Sequence, residues 1–177
     1  METVVLVNEN DTALSEMEKM EAHQKGLLHR AFSVFIFNTK GELLLQQRAL
    51  TKYHSGGLWT NTCCSHPRWG EDVANAAARR LNEEMGMKLT LTKIFDFIYE
   101  ASFSNGLIEH EFDHVFVGYS DTKPDINMSE VANYTYRNVE IIKQRIETSP
   151  EFFTEWFIIA FPKIYKWWQQ QKFTNSI

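Results

Sequence analysis

The segment that begins at Asp72 constrains the fold of this chain more than any other part of its sequence. A helix is predicted to begin at Asp72, and Gly86 can end it in the left-handed conformation that glycine tolerates. Between them an apolar side chain recurs at every fourth position, at Val73, Ala77, Leu81 and Met85. A helix over 72–85 with such an apolar row has to bury it against a second layer of structure.

Segments rich in aromatic and β-branched residues lie on both sides of this helix and predict the sheet on which it packs. Longer strands are predicted at 30–37, 43–47, 93–101 and 109–119, with a turn at 38–41 that joins the first two into a hairpin. Shorter strands are predicted at 4–7 and 134–137. Further helices are predicted at 17–24, at 139–146 and after Ser149 as N-cap, with a kink or split at Pro162. This mixture predicts an α/β or α+β fold, with a sheet sandwiched between helices.

The composition excludes several classes of protein. A length of 177 residues with 44% hydrophobic residues predicts a single domain, residues 1–177, with a full core. A net charge of -5 gives no general attraction for nucleic acid or anionic membranes, and no apolar segment has the roughly 20 residues that span a membrane. The only cysteines, Cys63 and Cys64, are adjacent and ill suited to a disulfide, and the N-terminus lacks a signal peptide. We therefore expect a reduced, cytoplasmic protein with no nucleic-acid or membrane partner.

Glu84 interrupts the apolar row of the predicted helix. At roughly 100° per residue, its side chain projects between Val73 and Ala77, where an unpaired carboxylate would cost several kcal/mol. An ion pair with Arg80, one turn earlier, is the structural explanation. A cation or a charged ligand at the helix surface is the functional explanation, and the pattern leaves both open.

A second cluster of charge lies on the strand predicted at 109–119. Glu109 and Glu111 point to the same face of the sheet, where like charges repel and raise each other's pKa. Such a pair indicates either a metal or acid/base site or a solvent-facing edge strand. His110 and His114 lie on the opposite face and are poor partners for these carboxylates. A site that combines imidazoles with carboxylates would suit Zn²⁺, Mn²⁺ or Mg²⁺.

The segment 65–87 resembles a Nudix box, the helical motif with which Nudix hydrolases gather Mg²⁺ on a diphosphate. Glu71 matches the first Glu of that motif, and 79–87 matches its Arg-Glu-apolar-x-Glu-Glu-x-Gly-apolar end. Two positions depart from it: Ser65 replaces the opening Gly, and Arg80 replaces the Glu that follows the first Arg. Because Arg80 reverses the charge of a metal-binding position, the departure argues against a hydrolase.

Further motifs resemble those of the type I isopentenyl-diphosphate isomerases, a branch of the Nudix fold. They are His23-x5-His29-Arg30-Ala31-Phe32-Ser33, Gln47-Arg48-Ala49-Leu50-x-Lys52, Trp59-Thr60-Asn61-Thr62-Cys63-Cys64-Ser65-His66-Pro67, Glu109-His110-Glu111 and Trp156. The resemblance implies a Nudix-type α/β/α sandwich with a mixed β-sheet. It also implies an enzyme of isoprenoid biosynthesis that interconverts isopentenyl and dimethylallyl diphosphate, by protonation and deprotonation through a tertiary carbocation.

The same resemblance implies roles for individual residues. Cys64 and Glu111 match the acid/base pair, with Tyr99 near Glu111. The family's metal site, which would hold Mn²⁺, Zn²⁺ or Mg²⁺, is matched by His23, His29, His66, Glu109 and Glu111. Glu84 matches the family's ligand of one Mg²⁺ that is bound with the diphosphate. Arg48, Lys52 and Arg80 match the residues that bind the diphosphate, and Trp156 matches the indole beside the hydrocarbon. No flavin is expected, Cys63 is expected to be a small packed residue, and a monomer is favoured.

Two alternatives to an isomerase remain open at this point. A Nudix hydrolase of a nucleoside or prenyl diphosphate would share the fold, although Arg80 and Cys64 argue against it. A catalytically silent, metal-stabilised binding protein would keep the histidines but would have no need of Cys64. Because a carbocation has to be shielded from water, the isomerase also predicts a lid, for which the segment 17–26 that carries His23 is the candidate.

Overall fold

The computed structural model describes residues 2–52 and 54–174 and shows a mixed sheet of nine strands with helices on both faces. The strands β1 to β9 are Thr3–Val7, Ala13–Glu18, His29–Phe37, Glu42–Arg48, Trp59–Thr60, Cys63–Ser65, Thr92–Ser102, Ile108–Tyr119 and Val131–Asn138. The helices α1 to α4 are Lys19–Lys25, Val73–Met85, Val139–Thr148 and Glu155–Thr174, and a 3-10 turn at Pro150–Phe152 precedes α4. The predicted α/β sandwich with a mixed sheet is confirmed.

β3 is the strand around which the sheet is organised. It runs parallel to β8 over nine residue pairs, from His29 opposite Glu111 to Phe37 opposite Tyr119. On its other side β6 pairs with it antiparallel, and β7 pairs antiparallel with the far edge of β8. A parallel pair requires a long crossover connection, and the connection from β3 to β8 contains α2.

Two hydrophobic clusters lie on opposite faces of this sheet. Along β3, Phe35 and Phe37 belong to the cluster that contains residues of α3 and α4, which we call the α4 cluster. Phe32, Val34 and Ile36 belong to the cluster that contains residues of α2, which we call the α2 cluster. Because successive residues of a strand point to opposite faces, strand position alone decides which helix a side chain meets.

Helix α2 begins and ends where the sequence predicts. The backbone N–H of Asn75 donates to Asp72 Oδ1 at 3.0 Å, and Gly86 ends the helix with φ of 64°. Beyond the helix the N–H of Asp125 donates to the carbonyl oxygen of Met85 at 3.0 Å. The end of α2 is therefore tied to the segment that leads into β9.

The predicted hairpin of β3 and β4 forms, but its pairing is confined to the residues beside the turn. The two strands pair through Phe37 and Leu43 beside the turn, and then they separate. Farther along, β6 occupies the side of β3 that β4 would have used, while β4 pairs with β9 from Glu42 to Arg48. A local turn fixed the start of the pairing, but strands from distant parts of the chain compete for the remaining hydrogen bonds.

The last helix also differs from its prediction. Ser149 precedes the 3-10 turn without a side-chain capping bond, and α4 begins only at Glu155. Pro162 does not split α4, because Phe157 and Phe161 before it and Ile164 after it are buried in the same α4 cluster and offset its missing hydrogen bond. Neither α4 nor any other helix within residues 2–52 and 54–174 is long and apolar enough to cross a membrane.

Replacing Gly86 by Ala is expected to destabilise the protein more than the same change at Gly70. Both glycines have positive φ, of 64° and 73°, which costs an alanine about 1–2 kcal/mol. A Cβ at Gly86 would also lie 2.5 Å from the carbonyl oxygen of Asp125, whereas nothing lies within 4 Å of one at Gly70. Urea unfolding should therefore show a further loss of roughly 1–3 kcal/mol for Gly86→Ala. Equal losses in the two variants would contradict this account of the contact between α2 and the segment before β9.

Candidate active site and metal centre

The adjacent cysteines point to opposite faces of the sheet because both lie in β6. Cys64 is in register with Ser33 of β3 and packs against the α4 cluster, whereas Cys63 is fully buried in the α2 cluster. Cys63 is thus the small packed residue that the sequence predicts. Burial raises the pKa of the Cys64 thiol, and the nearby Arg48 lowers it by less, so the thiol keeps its proton at neutral pH.

Three histidines converge from separate elements of the chain. His23 lies in α1, His29 begins β3 and His66 follows β6, and their ring centroids are 4.8 to 5.9 Å apart. With Glu111 they offer four ligand atoms that all lie within 4.8 Å of one another. His66 Nε2 lies 3.0 Å from Glu111 Oε1, and His29 Nε2 lies 3.5 Å from the same oxygen.

Backbone carbonyl groups orient two of these rings. Nδ1 of His23 donates to the carbonyl oxygen of Lys19 at 2.7 Å, and Nδ1 of His29 donates to that of Leu27 at 2.8 Å. Because a carbonyl oxygen only accepts, Nδ1 holds a proton, and in a neutral ring the lone pair is then on Nε2. The buried Nε2 of His29 has no hydrogen-bond partner among the described residues, which leaves it available to a ligand.

The protonation of the cluster suits a divalent metal. Burial lowers the pKa of His23, with a further contribution from His29, and burial lowers the pKa of His66 to about 4. These two imidazoles are therefore neutral at neutral pH, which is the form that binds metal. Three imidazoles and one carboxylate are a donor set that fits Zn²⁺ or Mn²⁺ better than Mg²⁺, which prefers oxygen ligands.

The two carboxylates of β8 are buried, so the solvent-facing edge strand is the wrong interpretation of their spacing. The hydroxyl of Tyr99 in β7 donates to Glu111 Oε2 at 2.7 Å and lies 3.2 Å from Glu109 Oε2. Burial alone would raise the pKa of Glu111, but the imidazoles of His29 and His66, 3.5 and 3.0 Å from its Oε1, hold that pKa well below its usual range. Burial and the charge of Glu111 raise the pKa of Glu109. Glu109 lies outside the group of four ligand atoms, so its role as a fifth metal ligand stays a prediction.

A cavity of about 160 Å³, which we call the central cavity, brings the predicted site residues together. Its lining includes the residues predicted for proton transfer, Cys64, Tyr99 and Glu111, and those predicted to bind the substrate, Arg48, Lys52, Arg80 and Trp156. It also includes His23, His66, Glu84 and Glu109 of the predicted metal sites. The Arg48 guanidinium lies 5.0 Å from the ring centroid of Trp156. A cationic and an aromatic surface therefore meet in the same cavity.

Glu84 forms the ion pair that its helical spacing predicts. Its Oε1 accepts a hydrogen bond from Arg80 Nη2 at 2.6 Å, and its Oε2 accepts one from Gln46 Nε2 at 3.0 Å. Glu84 is also buried and lines the central cavity. The ion pair is therefore confirmed, and it lies where a charged ligand would bind.

Sequence reasoning missed several residues of the cavity wall. Lys19 shares a face of α1 with His23, four residues later, and this spacing could have identified it. His54 Nε2 lies 3.7 Å from Glu109 Oε1, and its ring stacks on Phe103, but it comes from a loop without periodicity. Glu130 precedes β9 and reaches the cavity from 78 residues beyond Lys52, so no local pattern indicated it.

The remaining histidines of β8 point away from the cavity, as their strand positions predict. His110 Nδ1 lies 3.1 Å from the carbonyl oxygen of Gly26, and His114 Nε2 lies 3.0 Å from Asp11 Oδ2. Alternation along the strand therefore separated these two histidines correctly from Glu109 and Glu111.

Comparison with known proteins assigns this site to a family. A profile of the NUDIX domain matches residues 27–157. The chain is 54% identical to an isopentenyl-diphosphate Delta-isomerase of Pectobacterium atrosepticum over 98% of this chain and 97% of that protein. It is 49% identical to an isopentenyl-diphosphate Delta-isomerase of Serratia proteamaculans over 89% of this chain and 88% of that protein. The chain therefore belongs to the NUDIX family and, within it, to the isopentenyl-diphosphate Delta-isomerases.

Solved structures at low sequence identity show the same fold. A protein from Deinococcus radiodurans superposes with a TM-score of 0.77 at 19% identity, over 93% of this chain and 99% of that one. A MutT protein from Methanosarcina mazei superposes with a TM-score of 0.64 at 19% identity, over 82% and 95%. At this identity the likeness concerns the backbone arrangement, and the chemistry rests on the side chains described above.

The stability of the metal-free protein is expected to fall as the pH is lowered from about 6.5 to about 4. The pKa of His66 falls from 6.5 to about 4 on burial, so across this range the unfolded chain binds a proton that the folded one does not. Up to about 3 kcal/mol of unfolding free energy is lost as a result. Urea unfolding in a chelating buffer would measure it, and a His66→Gln variant should lack this part of the decline. An identical pH dependence in the variant would contradict the buried, neutral state of His66.

Proposed function

We propose that this isomerase moves the double bond of isopentenyl diphosphate by two proton transfers, with Cys64 and Glu111 as the two groups. Addition of a proton to an unactivated alkene gives a tertiary cation, and loss of a proton from another carbon completes the reaction. The observation that carries the proposal is that both groups line the central cavity in complementary states. The Cys64 thiol is protonated, while Glu111 is held ionised by His29 and His66.

Each direction of the reaction needs one donor and one acceptor, and the reverse direction exchanges them. Cys64 and Glu111 come from β6 and β8, on opposite sides of β3, so they can approach a short hydrocarbon from different directions. Tyr99 donates a hydrogen bond to Glu111 Oε2 and so fixes the orientation of that carboxylate. We infer that Tyr99 acts by positioning Glu111.

His23, His29, His66 and Glu111 are the residues proposed to hold one divalent metal, with Glu109 as the fifth ligand. A metal bound there would cancel the repulsion between the two carboxylates and make a proton on Glu111 more acidic. The support comes from the imidazoles of His23 and His29, whose Nδ1 atoms donate to the carbonyl groups of Lys19 and Leu27, so that Nε2 is the ring nitrogen left to bind a metal. Zn²⁺ and Mn²⁺ suit this donor set.

Arg48, Lys52 and Arg80 are proposed to bind the diphosphate, with Glu84 as a ligand of a Mg²⁺ that enters with it. Guanidinium groups match phosphate oxygens in bidentate geometry, and Lys adds a point charge. Trp156 is buried in the cavity wall, where its ring face would stabilise the cationic intermediate by roughly 0.5–2 kcal/mol. The negatively charged and the apolar halves of the substrate thus have separate partners.

Incubation with isopentenyl diphosphate and Mg²⁺ in D₂O, without flavin, tests this function. NMR is expected to show dimethylallyl diphosphate that carries deuterium, because the added proton comes from solvent through Cys64 or Glu111. Release of phosphate or of a monophosphate instead would favour a Nudix hydrolase and overturn the assignment.

Cys64→Ala and Glu111→Gln should each lower isomer formation by roughly 10²–10⁴-fold or more while the fold survives. Cys63→Ala is the matched control, because Cys63 lies in the same strand but faces the α2 cluster. Rates from NMR and circular dichroism spectra of each variant would be compared. An inactive Cys63→Ala beside an active Cys64→Ala would exchange the roles of the two residues.

The segment 17–26, which includes α1, is proposed to close over the site when metal and substrate bind. Support comes from His23, which α1 supplies to the histidine cluster, and from Lys19, which lines the cavity. Hydrogen exchange of these amides is expected to slow when metal and a diphosphate analogue are added. The amides of α3, on which no site residue lies, serve as the control and should be unaffected. Unchanged exchange in 17–26 would exclude the lid.

A further inference from the structure

Two of the three cations proposed to bind the diphosphate, Lys52 and Arg80, share an acidic partner that the isomerase motifs do not include. Lys52 Nζ forms an ion pair with Glu130 Oε2, and Arg80 Nη2 lies 3.6 Å from that same oxygen. Arg80 Nη2 also donates to Glu84 Oε1 at 2.6 Å. Two carboxylates therefore hold Lys52 and Arg80 in the cavity.

Backbone hydrogen bonds hold Glu130 close to both Lys52 and Arg80. The N–H of Ala49 donates to the carbonyl oxygen of Glu130 at 3.0 Å, which ties it to the segment that carries Lys52. The N–H of Asn127 donates to the carbonyl oxygen of Glu84 at 2.9 Å, and the N–H of Glu130 donates to that of Asn127 at 2.9 Å. Glu130 is thus anchored to α2 and to the cation segment, and its side chain is only 25% exposed.

Binding of a diphosphate would change the charge balance of this group. When Lys52 and Arg80 turn to phosphate oxygens, both Glu84 and Glu130 lose their cationic partners. Glu130 would then face the phosphate oxygens as a like charge in a partly buried site, where the repulsion is strong because the local dielectric is low. The cation that enters with the diphosphate is Mg²⁺, which prefers carboxylate and phosphate oxygens.

We propose that Glu130 is a carboxylate ligand of the Mg²⁺ that binds with the diphosphate, together with Glu84. Ligand entry is then an exchange of partners: Lys52 and Arg80 pass from the two carboxylates to the phosphate oxygens, and the two carboxylates pass to the metal. This inference rests on the proposed function, because it assumes that the diphosphate binds at Arg48, Lys52 and Arg80.

Isothermal titration of the full chain with inorganic pyrophosphate, at a series of Mg²⁺ concentrations, tests the proposal without measuring catalysis. Glu130→Gln should raise the Mg²⁺ concentration that gives half of the maximal enhancement by roughly tenfold or more, because a metal ligand is lost. Without Mg²⁺ its pyrophosphate affinity should equal or exceed that of the wild type, because Glu130 no longer competes for Lys52 and Arg80. Glu83→Gln is the matched control, since Glu83 also contacts Arg80, at 2.9 Å, but does not line the central cavity. It should behave as the wild type.

Two results would overturn the role of Glu130. The first is an unchanged Mg²⁺ dependence of pyrophosphate binding in a folded Glu130→Gln variant. The second is a lower pyrophosphate affinity of that variant without Mg²⁺, which would mean that Glu130 only positions Lys52 and Arg80. The Glu84→Gln variant distinguishes an error in the role of Glu130 from an error in the proposed function. If Glu84→Gln loses the Mg²⁺ dependence and Glu130→Gln does not, only the role of Glu130 is wrong. If neither variant changes it, the proposed binding of Mg²⁺ beside Glu84 is wrong as well.

Discussion

The parallel pairing of β3 with β8 is the interaction on which the site depends. Its register sets His29 opposite Glu111, and β6 on the other side of β3 sets Cys64 opposite Ser33. A shift of one residue would turn every side chain of β8 to the other face, so that His110 rather than Glu111 would meet the histidine cluster. The apolar residues of β3, buried on both faces of the sheet, hold this register in place.

Charge compensation is the second constraint on the site, because several ionisable groups are buried together. Glu111 is stabilised by contacts with His29, His66 and Tyr99, whereas Glu84 is paired with the charge of Arg80. The compensation is incomplete without further ligands, since burial and Glu111 raise the pKa of Glu109. Buried groups with such perturbed pKa values cost stability and are concentrated where ligands or protons are exchanged.

The sequence predicted those parts of the molecule that depend on local periodicity. The end of α2 at Gly86 follows from the glycine itself. The ion pair of Glu84 and the opposite orientations of Glu111 and His110 follow from spacing along one helix or strand. The family resemblance implied different roles for Cys63 and Cys64, whereas their opposite orientations followed only once both were known to lie in a strand. The positions of His54 and Glu130 could not be predicted, because they reach the cavity from loops whose paths depend on long-range packing. The same competition between distant strands limits the hairpin of β3 and β4 to the residues beside its turn.

The difference between this chain and a hydrolase of the same fold lies in the charge of one helix. A Nudix hydrolase gathers Mg²⁺ with several carboxylates of the box helix, but here Arg80 occupies one of those positions and contacts Glu83 and Glu84. The guanidinium reduces the negative charge available to a metal and adds a partner for phosphate oxygens, so the helix is suited to hold a diphosphate. The histidine cluster and Cys64 lie elsewhere in the cavity, beside the carboxylates of β8. In the proposed function, substrate binding and proton transfer therefore belong to different elements, so that a diphosphate would be held while its hydrocarbon reacts.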